Sequence, residues 1–128
     1  MAIKIKTVER SQAGIADGGA KKFYASAVHN GEISGEDLIK ALQNVSSTLT
    51  GASITAMLYA MEKVVSDGLK EGKIVRLGDL GSFRITLNSE GKATSKEVTK
   101  KTIKKVGVIF SPSQRIQKTL RNAEFIKE

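Results

Sequence analysis

The sequence has 128 residues, 40% of them hydrophobic and 5% aromatic, with a formal charge of +8; this is room for one compact domain and hardly for two. It contains no cysteine, which excludes a disulfide framework and a thiolate metal site, and no apolar run approaches the ~18 residues of a membrane span. A small core of Ile, Leu, Val and Met buries limited area, so pairing with a second copy would bury more of it.

The charge is unevenly placed. Residues 1–33 carry 5 basic and 3 acidic side chains, residues 34–72 carry 3 and 5, and residues 73–128 carry 13 and 5. The last segment therefore holds the whole surplus and directs any polyanion partner, nucleic acid or an acidic membrane surface, to itself.

In chain order, Met1 to Lys6 alternates apolar and charged residues without the continuous apolar stretch of a signal peptide, so the chain is expected to stay where it is made. Residues 1–10 read as a strand, with Ile3 and Ile5 in alternation and Val8 after a shift. Residues 11–20 have loop composition, and Phe23 to Val28 reads as a second strand closed by the Asn30-Gly31 turn signal. Together residues 1–33 form an N-terminal β extension, as a hairpin or a sheet edge.

Ser34 and Asp37 stand at capping-box spacing before Leu38, Ile39, Leu42 and Val45, the apolar stripe of a first helix. Thr50 caps a longer helix whose stripe includes Ile54, Met57, Met61, Val65 and Leu69 and which ends at Gly72. The period then changes to two. Ile74 to Leu77 is a strand, Gly78 to Gly81 a tight turn, and Ser82 to Asn88 alternates Phe83, Ile85 and Leu87 against Ser82, Arg84, Thr86 and Asn88. A Lys- and Thr-rich stretch follows, then a strand from Ile103 to Phe110. Ser111-Pro112 reads as a cap followed by the first helical position of a last helix bearing Ile116 and Leu120. Phe125-Ile126 would add a short terminal strand.

Catalysis finds no constellation in these residues. His29 is the sole histidine and adjoins a turn signal, and Asp79 between two glycines reads as an Asx-type turn former. No cofactor, no metal ligand set and no small-molecule substrate is expected. The helix–turn–helix from residue 34 to 72 is no major-groove reader either. Ala52, Ser53, Thr55 and Ala56 stand where base-reading Arg, Lys, Asn or Gln would be needed.

The basic stretch is the strongest signal. Lys92, Lys96, Lys100, Lys101, Lys104 and Lys105 face only Glu90 and Glu97, and each lysine that neutralises a phosphate releases counterions and adds sequence-independent affinity. A solvated hairpin would look much the same. The helix start after it adds exposed N–H groups suited to phosphate, with Arg115, Lys118 and Arg121 on the helix, of which spacing lets only some share a face.

Leu77-Gly78-Asp79-Leu80-Gly81-Ser82-Phe83 and Phe110-Ser111-Pro112-Ser113, set in this order of elements, resemble the HU/integration host factor family of bacterial histone-like proteins over residues 34–123. The longer HU-like branch with an N-terminal β extension is most similar. The resemblance implies an α+β fold: an intertwined homodimer with a helical body, a β-sheet and extended basic β-arms at about residues 88–105, residues 34–128 forming the DNA-binding domain. It implies a non-enzymatic, nucleoid-associated protein of the bacterial cytoplasm that grips double-stranded DNA with little sequence preference and has no membrane partner. The residues it carries over are Arg84, Thr86 and Asn88, the arm lysines, and Ser111 at the last helix start. The sequence departs from the family at the arm tip, which has no proline to wedge between base pairs; Leu87 and Val98 are the nearest apolar groups, so strong kinking is not expected. Rival readings are an HU-like interaction scaffold and RNA binding, the latter weakened by the lack of arm aromatics to stack on unpaired bases.

Overall fold

A computed structural model describes residues 2–11 and 21–128. The loop expected at 11–20 thus lies, apart from Ser11, outside the described residues. The fold comprises two three-stranded sheets and three helices, the β3-β4-β5 sheet packing against the longest helix. The elements are β1 (Ile3–Arg10), β2 (Lys22–Val28), α1 (Glu36–Val45), α2 (Gly51–Lys70), β3 (Val75–Arg76), β4 (Gly81–Ser89), β5 (Ile103–Pro112), α3 (Gln114–Arg121) and β6 (Phe125–Lys127).

The first sheet has the order β2-β1-β6. β1 and β2 pair antiparallel from Lys4↔Val28 to Arg10↔Lys22, and β6 joins β1 in parallel, with Ile3 opposite Phe125. Val8 needs no shift: the β1–β2 register runs unbroken, which puts it on the face opposite Ile3 and Ile5. Backbone bonds from Ile3 N–H to Glu124 and from Glu128 N–H to Ile5 fasten β6 along β1. The sheet therefore draws on residues from both ends of the sequence.

α1 begins one residue later than the Ser34 cap suggested. Gly35 is its N-cap, at φ 54° and with no side-chain bond, and Ser34 contributes only its carbonyl, which accepts from Asp37 N–H. α2 starts as expected: Thr50 Oγ1 accepts from Ser53 N–H at 3.1 Å. It stops because Gly72 takes φ 78°, letting Gly72 N–H reach Leu69 and Lys73 N–H reach Gly68, the two bonds of a Schellman ending. Ile54 is the buried apolar side chain of this body, 3% exposed.

The second sheet is β3-β4-β5. β4 and β5 form a long antiparallel hairpin in which Phe83 faces Phe110, Ile85 faces Val108 and Leu87 faces Val106. Phe83 and Phe110 stack at 5.0 Å between ring centroids. Gly81 makes this possible at the base: a Cβ there would lie 2.5 Å from the Ser111 carbonyl oxygen and 2.7 Å from the Phe110 ring. The last helix also starts later than expected. Pro112 ends β5 instead of opening α3, and the cap is Ser113, whose Oγ accepts from Ile116 N–H.

Much apolar surface is left uncovered. Met57, Val64, Leu87, Val106 and Val108 are each more than half exposed. The accessible surface is 10894 Å², against about 6,600 Å² for a compact monomer of this mass.

Candidate nucleic-acid interface

Paired strand residues share a face and neighbours alternate, so the hairpin sorts itself into two surfaces. One is the apolar row just described. The other carries Arg84 opposite Ile109, Thr86 opposite Gly107, and Asn88 opposite Lys105. Gly107 leaves room across the ribbon: a Cβ there would press to 3.0 Å from Thr86 Oγ1. Arg76 lies opposite Ser82 through the β3–β4 pairing and so joins this polar face. Sequence reasoning missed Arg76, because its place on this face follows from the β3–β4 register across the Gly78–Gly81 turn.

Between Ser89 and Ile103 the ladder ends in a bulge, which Lys104 occupies. Residues 90–102 are folded into two single 3-10 turns, Ser95–Glu97 and Lys100–Thr102, so the ribbon does not extend to its tip. Thr102 organises this cap. It is 5% exposed, its hydroxyl donates to the Thr99 carbonyl at 2.6 Å, and its carbonyl accepts from Glu90 N–H. Ser89 Oγ adds a bond to the Thr102 hydroxyl at 3.3 Å.

The lysines ride on that cap, and one is paired: Lys92 Nζ lies 3.6 Å from Glu90. Among the described residues, Lys96, Lys100, Lys101, Lys104 and Lys105 have no carboxylate within ion-pair distance. All five are exposed. Val98 sits in the cap between the two turns and is 54% exposed, whereas Leu87 belongs to the apolar row.

At the other end of the hairpin, Ser111 is not at a helix start. It pairs with Ser82 inside the ladder. Ser111 nonetheless lines a shallow cleft with Arg76, Ser82, Ser113 and Gln114 at the opening of α3. Arg115 turns back towards the Gly78–Gly81 turn and lies 3.6 Å from Asp79, while Lys118 is exposed with no carboxylate near it among the described residues. Asp79 is no Asx former here: its carboxylate faces Arg115, and its backbone carbonyl accepts from Ser113 Oγ. Ile54 is buried and Thr55 Oγ1 donates to the Gly51 carbonyl at 2.8 Å, so the start of α2 presents little to read bases with.

Among the described residues no three His, Cys, Asp or Glu side chains gather as a metal would require, and no helix is long and apolar enough to cross a membrane. The family model described as an HU domain fused to winged helix–turn–helix, Ig or glycine-rich motifs matches residues 1–127. The chain belongs to this HU-HIG family. The match takes in the first sheet as well as the hairpin, so the N-terminal strands are part of the HU-HIG unit. The HU-HIG chain is also similar to a crystal structure from Bacteroides vulgatus, described provisionally as a bacterial DNA-binding protein, at TM-score 0.67 and 16% identity. That likeness covers 99% of this chain and 49% of the other; the HU-HIG chain thus spans about half the length of that protein, and at this identity the likeness shows the fold. No curated protein matches the chain.

Proposed function

We propose that this HU-HIG chain binds double-stranded DNA without catalysis, as a homodimer, with its β4–β5 hairpin as the gripping arm and with little regard to base sequence. The observation that carries the reading is the polar hairpin face. Arg84, Thr86, Asn88 and Lys105 share it, and four further unpaired lysines, Lys96, Lys100, Lys101 and Lys104, continue it over the bulge and the cap. Such a surface offers charge and hydroxyl groups to phosphates and sugars and few groups that could discriminate base edges. Ser111 and Arg76 extend it towards α3, where Lys118 adds charge.

The homodimer rests on the uncovered apolar residues. Each large side chain moved out of water contributes about 1.5–3 kcal/mol. A bacterial chain with this role would sit with the nucleoid in the cytoplasm.

The test is a salt titration of binding to duplex DNA, duplex RNA and single strands, with sedimentation on the same samples. The expected result is a species of twice the chain mass that prefers duplex DNA. Replacing Lys100, Lys101, Lys104 and Lys105 by alanine should flatten the salt slope by up to about 3.6 per arm, at about 0.9 per phosphate contact. That change amounts to about 150-fold between about 50 and 200 mM salt. A monomer that binds DNA equally well refutes the dimer; an unchanged slope moves the site off the arm; a preference for RNA or single strands refutes the duplex reading.

A further inference from the structure

The first sheet gathers most of its cations on one face in a way the composition conceals. On the opposite face Ile3, Ile5 and Glu9 stand with Phe23, Phe125 and the cation Lys127. On the cation-rich face stand Lys4, Lys6 and Arg10, with Lys22 directly opposite Arg10. Glu9, the acidic residue of these strands, lies with the apolar group. The four cations are exposed, and none has a carboxylate within ion-pair distance among the described residues.

Nothing in folding requires this. Arg10 facing Lys22 is a like-charge cross-strand pair, which costs stability, and solubility alone would be served by mixed signs. Lys4 to Arg10 covers roughly 20 Å of extended strand, the axial rise of about six nucleotides of one DNA strand. Tyr24, 43% exposed and opposite Val8, lies on the same face. A single aromatic is too few to stack a run of unpaired bases. The bulky Phe23 and Phe125 point the other way and leave Tyr24 and Ile126 as the exposed large apolar groups beside the four cations, whereas a membrane-binding surface needs its main inserting side chains on the cationic front.

We propose that this basic sheet face is a second phosphate-binding surface, holding duplex DNA that flanks the segment gripped by the hairpin. The inference rests on the DNA-binding reading above and enlarges the site from one arm to an arm and a lateral track.

Two measurements on the full chain test it. The first compares Lys4→Gln, Lys6→Gln, Arg10→Gln and Lys22→Gln combined with the unaltered protein, on a short duplex that the hairpin alone covers and on one three times longer. The long duplex should lose affinity by more than about ten-fold, with a salt slope lower by up to about 3.6 per engaged sheet, and the short one should be unaffected. The second needs no variant: acetylation rates of Lys4, Lys6 and Lys22 should fall when the long duplex is bound and not when the short one is. Equal slopes on the long duplex, or unprotected lysines, overturn the inference, as does a loss confined to anionic phospholipid vesicles. A protein that binds neither duplex overturns the arm reading too. One that binds the short duplex and leaves the sheet lysines unprotected on the long one overturns the lateral track alone.

Discussion

Replacing Gly81 by alanine tests whether packing at the base of the hairpin holds β4 and β5 together. Gly81 has φ 150°, where an L side chain is strained by about 1–3 kcal/mol. Its new Cβ would lie 2.7 Å from Phe110 ring carbons and 2.5 Å from the Ser111 carbonyl oxygen. The ring could swing only by leaving its stack on Phe83, and the carbonyl is backbone, so it could retreat only by opening the β4–β5 ladder. Overpacking of this kind costs typically about 1–3 kcal/mol. The sum is about 2–6 kcal/mol. With an unfolding entropy of about 2.1 cal/mol/K per residue, the melting temperature should fall by roughly 7–22 °C. Thermal unfolding by circular dichroism at fixed protein concentration measures this, concentration being held because association stabilises the folded state. Gly91 is the control: it has no positive φ and nothing within 4 Å of a built Cβ, so Gly91→Ala should leave the transition in place. If Gly81→Ala moves it by less than about 2 °C, the packing argument at the hairpin base is wrong.

Two further outcomes follow from other parts of the molecule. Energy transfer between the labelled ends of a bound duplex should show little shortening, because the hairpin cap offers lysines and no proline wedge; a sharp bend that vanishes in Val98→Ala would show that the exposed Val98 intercalates. Thr50→Ala removes the capping bond to Ser53 N–H and should cost about 1 kcal/mol, whereas Ser34→Ala should stay within about 0.5 kcal/mol; equal effects would refute the assignment of the caps.

The elements were legible where periodicity is strong. The alternation from Ser82 to Asn88 gave both faces of β4 correctly, and the pairing then sets Val106, Val108 and Phe110 opposite Leu87, Ile85 and Phe83. Caps were less legible, because several serines near a helix start are equivalent in sequence. At α1 the glycine with positive φ took the place of Ser34. At α3 the β5 ladder ran on through Pro112, which bears no N–H to lose at a strand end, and the cap passed to Ser113. The cap of the hairpin was hidden for a different reason. Thr102 is one threonine among several, and only its bonds to Thr99 and Ser89 distinguish it. The lysines were visible as a charge run, but the membership of Arg76 depended on a cross-strand register that no local pattern states. The segregation of Lys4, Lys6, Arg10 and Lys22 was likewise out of reach without knowing that β1 and β2 pair with Arg10 opposite Lys22.

The parallel seam between β1 and β6 bears on how the chain is made. Ile3 waits for Phe125, and at a synthesis rate of about 5–20 residues per second that wait lasts roughly 6–24 s. Through this interval β1 can zip to β2, but its other edge has no partner, and a bare strand edge is a template for pairing with other chains. Lys4 and Lys6 lie along that edge, and charged side chains there discourage such pairing. These cations would thus act as guards against misassembly on the ribosome, apart from any contact with phosphate, and neutralising them should lower the soluble yield in cells even where the purified protein melts normally.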